Sequence, residues 1–165
     1  MRLAGSLALA IAGVTGCGIV AGKPTRQVPT VALCRAVPYL TQFIVIRKTT
    51  KASVMREFSF PSVTHVRNAR ATQTVASALC RLPVRQPHTL YHCPAEGPDI
   101  IYGLRFYRGR HPLPWITLPT GGCGNVTGLG ELPRLATVHL WGVLGHALDL
   151  KNGPSAFVGT KIPAS

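Results

Sequence analysis

The clearest pattern of apolar and polar positions in this 165-residue chain lies in residues 99–107, where large apolar side chains recur at every second position. Tyr102, Leu104 and Phe106 fall on one face of a β-strand with this alternation. The segment 108–110, Arg-Gly-Arg, predicts a hairpin turn, and residues 115–118 predict the returning strand. The pattern therefore predicts an antiparallel hairpin with one face in the core.

Two other segments have helical periodicity. Residues 69–82 follow a potential N-cap, Asn68, and end before Pro83. Residues 135–150 end at an Asn-Gly-Pro sequence. The apolar stripes expected to face the core are Val75, Leu79 and Leu82 in the first helix, and Leu140, Trp141, Leu144 and Leu148 in the second.

The N-terminal half adds strands to this arrangement. Residues 31–46 are apolar, are interrupted at Pro38 and end in a β-rich run, and residues 58–60 and 63–66 predict a second strand kinked at Pro61. The order of elements predicts an α+β fold, with a mostly antiparallel sheet of four to five strands and two helices packed on one face. We expect residues 31–152 to form a single domain and residues 153–165 a flexible tail.

The first residues have the pattern of an export signal. One basic residue, Arg2, precedes the uncharged run 3–12 and the sequence Gly-Val-Thr-Gly before Cys17. This order is typical of a secretory signal, and the segment ending at Cys17 resembles a bacterial lipobox. We therefore expect residues 1–16 to be a signal peptide, Cys17 to carry a lipid, and residues 17–30 to be a tether.

The export signal and the lipobox predict attachment through an N-terminal lipid to the extracytoplasmic face of the cell membrane. The alternatives are a plain secreted protein, an uncleaved N-terminal anchor, since the uncharged run continues to Gly22, and a buried cytosolic helix, which the glycines in this segment disfavour.

Four further cysteines form an even set that favours two disulfides in an exported chain: Cys34, Cys80, Cys93 and Cys123. The favoured pairing is Cys34–Cys80 with Cys93–Cys123, and a local Cys80–Cys93 bridge is the alternative. No Cys-x2-Cys pair is present, so the pattern does not predict a metal site.

The formal net charge of +13, with only five acidic residues, favours an anionic partner such as phospholipid head groups or wall polymers. The basic residues stand singly, and no recognisable nucleic-acid-binding module accompanies them. Together with the export signal, this argues against a nucleic-acid partner.

Catalytic patterns are weak. His88 and His92 have i, i+4 spacing but lie in a proline-containing loop, whereas His139 and His146 are expected on the surface of the last helix. No Gly-x-Ser-x-Gly sequence is present, and Glu96 and Asp99 fit turn positions better than an acid/base pair. We therefore expect a non-enzymatic protein with no catalytic residues, metal or cofactor. A hydrolase would need a pocket that gathers a histidine, an acid and a nucleophile.

Residues 31–150 resemble a group of small actinobacterial secreted proteins and lipoproteins of unknown function. The resemblance rests on short stretches that include Leu33-Cys34, residues 58–61, 78–83, 92–95, 102–106, Gly122-Cys123 and 126–130. It covers most of the expected domain and implies no activity.

The order of a cysteine-bearing helix, a Cys-Pro sequence, a β-hairpin and a distant cysteine is also similar to the subtilisin-inhibitor-like family of secreted protease inhibitors. In that family the loop after Cys-Pro binds the protease. The resemblance implies a possible inhibitor loop after Cys93, made rigid by a Cys93–Cys123 bridge and formed by Pro94, Ala95, Glu96 and Gly97.

Overall fold

A computed structural model describes residues 31–49, 56–87, 89–91, 100–121 and 123–161 of the chain. The fold is α+β, as predicted. Its elements in chain order are α1 (Ala32–Ala36), β1 (Gln42–Thr49), β2 (Arg56–Glu57), β3 (Val63–Val66), α2 (Ala69–Cys80), β4 (Ile100–Arg108), β5 (His111–Pro112), β6 (Ile116–Pro119), β7 (Asn125–Val126), β8 (Arg134–Leu135), α3 (Val138–Ala147) and β9 (Thr160–Lys161).

The main sheet has five antiparallel strands, of which four follow the order β3-β1-β4-β5. The fifth, β6, pairs with residues 101–104 of β4, whereas β5 pairs with residues 107–108 of the same strand. β1 and β4 form the centre, in register from Gln42 opposite Tyr107 to Thr49 opposite Ile100. The predicted hairpin is present and turns at Gly109, which has a φ of 59°. The returning chain is divided into β5 and β6.

One face of this sheet carries the core. The alternation in β4 buries Ile100, Tyr102, Leu104 and Phe106, and the Phe106 ring stacks on Phe43 of β1 at 5.3 Å between centroids. The two long helices cover this face with buried apolar residues, Val75 and Leu79 from α2 and Leu140 and Leu144 from α3. A third helix, α1, was not predicted.

Capping explains where the two long helices begin. The Asn68 side chain accepts from the Ala71 amide at 3.0 Å, which confirms the predicted N-cap of α2. α3 begins three residues later than predicted because Thr137 caps the Leu140 amide at 3.2 Å. The preceding residue pair, β8, is extended and donates from Leu135 to the Pro83 carbonyl at 2.9 Å.

The C-terminal segment differs from the expected flexible tail. Residues Gly153–Phe157 form a 3-10 helix, and the Phe157 side chain is 1% exposed, with its ring 5.3 Å from that of Tyr102. β9 then pairs with β2. The folded domain therefore extends to residue 161, because Phe157 supplies an aromatic group that the core needs.

The strand expected over residues 58–60 is also absent. Phe58 and Phe60 instead lie against the Arg47 guanidinium, whose carbon is 3.6 Å and 5.0 Å from their ring centroids. Arg47 also donates to the Phe60 carbonyl at 3.1 Å. These contacts hold the segment as an irregular cover at one edge of the core.

Of the two expected disulfides, the structure shows Cys34–Cys80, with a Cα–Cα distance of 5.7 Å. It joins α1 to the last residue of α2 and excludes the alternative Cys80–Cys93 bridge. Cys123 is also disulfide-bonded. Its predicted partner, Cys93, lies outside the described residues, so the Cys93–Cys123 pairing stays a prediction.

Candidate anion-binding groove

An open groove of about 660 Å³ runs between α2 and α3, on the outer side of the helical layer. Its floor is formed by small and apolar residues, namely Ala71, Gly142, Val143 and Ala147. Polar side chains line its rims, and these are Asn68, Arg70 and Thr74 from α2 with His139 and His146 from α3. The described groove is larger than the described cavities of about 310 Å³ and 220 Å³ elsewhere on the domain.

The α2 rim has one free cationic group. Asn68 is occupied as the N-cap, and the Thr74 hydroxyl donates to the Arg70 carbonyl at 2.8 Å. The Arg70 side chain is exposed and forms no hydrogen bond or ion pair with any residue that the structure describes. Its guanidinium is therefore available to a ligand.

The α3 rim carries two exposed imidazoles. His139 and His146 are seven residues apart, which is two helical turns, so they share one side of α3 with about 10 Å of helix axis between them. That separation places them at the two ends of the groove. It is too long for both to ligate one metal ion.

The position of Arg70 works against the stability of its own helix. Arg70 lies in the first turn of α2, and that turn contains no acidic residue. Because the N-terminus of a helix carries partial positive charge, a cationic side chain there is electrostatically unfavourable. Helix formation therefore does not explain an arginine at this position.

None of the described residues that line the groove carries a carboxylate. The acidic residues that the structure describes are Glu57, Glu131 and Asp149, and none forms an ion pair with a described basic side chain. An anion entering the groove would meet Arg70 and the imidazoles without a competing negative charge.

No family model, curated protein or solved structure matches this chain. Among the described residues, no helix is both long and apolar enough to span a bilayer. In the same residues, no group of three or more His, Cys, Asp or Glu could hold a metal ion.

Several residues singled out in the sequence lie outside the described part of the chain. They include the lipidation candidate Cys17, the loop residues Pro94, Ala95, Glu96 and Gly97, and the histidines His88 and His92. His139 and His146 do lie on the helix surface, as expected. Sequence reasoning missed that they share the groove with Arg70, although the acid-free first turn of α2 after Asn68 was visible as a signal.

Proposed function

We propose that this protein is an exported, non-enzymatic binding module of the cell envelope, anchored by a lipid on Cys17, and that the α2–α3 groove binds anionic groups of an envelope component. The observation that carries the proposal is the exposed Arg70 guanidinium, which lies in the acid-free first turn of α2 at the rim of a groove whose described lining residues include no carboxylate. A bound anion would compensate this position.

Two further observations support this function. The Cys34–Cys80 disulfide is of a kind that persists in oxidising compartments outside the cytoplasm. The net charge of +13 favours accumulation at an anionic surface such as phospholipid head groups or wall polymers. The groove would then provide a defined contact within a general electrostatic attraction.

The anchoring half of the proposal is tested by Cys17→Ala. This variant should move from the membrane to the soluble exported fraction, and the wild-type protein from its own host should begin at Cys17 with the added mass of acyl chains. Membrane retention of the variant, with no lipid mass on the wild type, would favour an uncleaved anchor. Release of the wild type without lipid would favour the secreted alternative.

The binding half is tested with two probes that carry phosphate, soluble short-chain polyphosphate and vesicles containing phosphatidylglycerol. Arg70→Gln should weaken binding about tenfold, the effect of losing one charge-assisted contact. Arg81→Gln is the matched control, because it removes an exposed arginine at the other end of α2. Equal losses for both variants would mean that only overall charge matters. The vesicle and polyphosphate arms separate lipid from polymer phosphate.

The histidines of the α3 rim give a second test of the groove. The double variant His139→Gln with His146→Gln should weaken probe binding, and His111→Gln, on the exposed strand β5, should retain the wild-type affinity. An affinity of the double variant equal to that of the wild type would remove the histidines from the site.

A second candidate is a secreted serine-protease inhibitor that uses the loop after Cys93. The observation that favours it is that Cys123, the predicted anchor of that loop, is disulfide-bonded. A panel of serine proteases should then be inhibited by the wild type, and Ala95→Asp should abolish the inhibition. Rapid cleavage of the loop with no inhibition would end this candidate.

A further inference from the structure

The described residues cover the sheet face opposite the helices incompletely. β1 and β4 present alternate residues to this face, and each of those with a described side chain is half-buried or exposed. We use "open sheet face" for the part formed by Ile44, Ile46, Lys48, Gly103, Arg105, Trp115 and Thr117. Of its large apolar side chains, Trp115 is exposed, and Ile44 and Ile46 are half-buried.

Trp115 dominates the open sheet face. Its side chain is 41% exposed, and its six-membered ring lies over Gly103, where an added Cβ would be 3.4 Å from the ring. Beside the ring is a slot of about 220 Å³ lined by Ile46, Lys48, Gly103, Trp115 and Thr117. The slot is shallow and mainly aliphatic and aromatic, so it suits one apolar side chain.

Arg105 stands at one end of this slot in a fixed position. Its Nε donates to the Leu113 carbonyl at 3.2 Å, and its guanidinium carbon is 5.4 Å from the centroid of the Trp115 ring. Its two terminal nitrogens form no hydrogen bond within the described residues. A guanidinium held in this way offers a preorganised fork that matches a carboxylate.

Lys48 stands at the other end. In the register of the two strands, Arg105 is opposite Ile44, and Lys48 is four residues further along β1. The two cationic positions are therefore about 13 Å apart along the strand. The pair Ile46 and Gly103, which forms the floor of the slot, lies midway between them.

This order of cation, apolar slot and cation has the spacing of an extended peptide. In a strand, residues i, i+2 and i+4 point to the same side and span about 13 Å. Carboxylates at i and i+4 would reach Lys48 and Arg105, while an apolar side chain at i+2 would enter the slot. A phosphate polymer would offer the cations its charge but would leave the slot unfilled.

The charge on this face also argues against a second copy of the chain. Its charged residues are both basic, so two copies brought together through it would place like charges opposite each other. We propose that the open sheet face binds an extended acidic segment of another protein, in which one apolar residue is flanked two positions away on each side by carboxylates. This site is separate from the helical groove and does not depend on its function.

The test uses the full chain and two synthetic peptides in isothermal titration calorimetry. The first peptide has a central Leu with a Glu at the second position on each side, in a Ser/Thr background. The second has the same composition with both Glu adjacent to the Leu, which turns them to the opposite side of an extended chain. The first peptide should bind at least about tenfold more tightly.

Variants locate the binding. Arg105→Gln and Lys48→Gln should each weaken the first peptide about tenfold, and Gly103→Val should weaken it by filling the slot without a change of charge. Arg70→Gln, in the groove, should have no effect on peptide binding. All variants are checked by circular dichroism and thermal unfolding. Lys48 is exposed, and for Arg105, which is half-buried and donates to the Leu113 carbonyl, these measurements separate an effect on the fold from an effect on binding.

Four results would overturn the proposal. They are equal binding of the two peptides, an equal loss with Arg70→Gln, tighter binding of polyphosphate than of the first peptide with the same dependence on Arg105, and self-association of the protein that Trp115→Ala abolishes. The last result would identify a second copy as the partner of this face. Failure of polyphosphate binding at the groove would leave the peptide result standing.

Discussion

The buried phenol of Tyr102 should make the protein lose stability at alkaline pH. The side chain is fully buried and its hydroxyl donates to the Phe157 carbonyl at 2.8 Å. Burial raises the pKa of Tyr102 well above its ordinary value of about 10, and the nearby Arg47 guanidinium only partly offsets this. The folded protein therefore keeps a proton that the unfolded chain loses.

Proton linkage gives the direction and the size of the change in the free energy of unfolding. Below pH 10 both states hold the proton, and the contribution of Tyr102 to stability is complete. Above pH 10 the unfolded state alone ionises, so the free energy of unfolding falls by about 1.4 kcal/mol per pH unit from this one group. At pH 11.5 the loss is about 2 kcal/mol.

Tyr102→Phe isolates this effect. At pH 8 it should cost about 1 kcal/mol, because the Phe157 carbonyl loses its buried donor. The variant lacks the ionisable group, however, so its free energy of unfolding should decline less steeply, and the two curves should cross between pH 10 and pH 11.5.

Urea unfolding at closely spaced values from pH 8 to pH 11.5 measures both curves. Tyr39→Phe is the matched control, since Tyr39 is 64% exposed and its removal should leave the alkaline slope in place. Parallel curves for wild type and Tyr102→Phe would refute the reasoning, because the slope would then come from other groups.

Three further changes test the fold. Replacing Cys34 and Cys80 together by Ala should lower the free energy of unfolding by about 4 kcal/mol, the chain-entropy value for a sequence separation of 46, and an unchanged urea midpoint would contradict it. Arg134→Ala should lower the free energy of unfolding by about 2 kcal/mol in the same assay, because the Nη1 of Arg134 donates at 3.0 Å to the carbonyls of residues 80 and 82 at the end of α2. Arg134→Lys should restore only part of the lost stability. Gly128→Ala should lower the thermal midpoint, with a cost of about 3 kcal/mol, since φ is +87° and an added Cβ would collide with the Trp115 carbonyl; a midpoint equal to that of wild type would show that the loop shifts freely.

The elements that local sequence decides were predicted well. β4 alternates between buried and half-buried residues from Ile100 to Tyr107, and α2 has both a capping residue, Asn68, and an apolar stripe. In each case one short-range rule, strand alternation or helix capping with periodicity, is strong enough to determine the structure. The α+β class followed from the order of such elements, and Cys34–Cys80 belonged to the pairing favoured for the even set of cysteines.

The errors occur where distant contacts decide. The final segment lacks a regular period, and its order comes from Phe157 packing on Tyr102, 55 residues earlier in the chain. Residues 58–60 have β-forming composition but follow the Arg47 side chain instead. The groove also depends on contacts between distant parts of the chain, because only the packing of α2 against α3 places Arg70 beside the histidines.

Under the proposed anchoring through Cys17, the disulfide would have a mechanical consequence. Tension that enters from residue 31 reaches Cys34 within the first turn of α1 and passes through the covalent bond to Cys80. The backbone between these two cysteines, which includes β1 and β3, then lies in a closed loop that bears no pulling force. Under load, β3 at the edge of the sheet and β1 at its centre would be protected by a single covalent bond between two cysteines that are 46 residues apart in sequence.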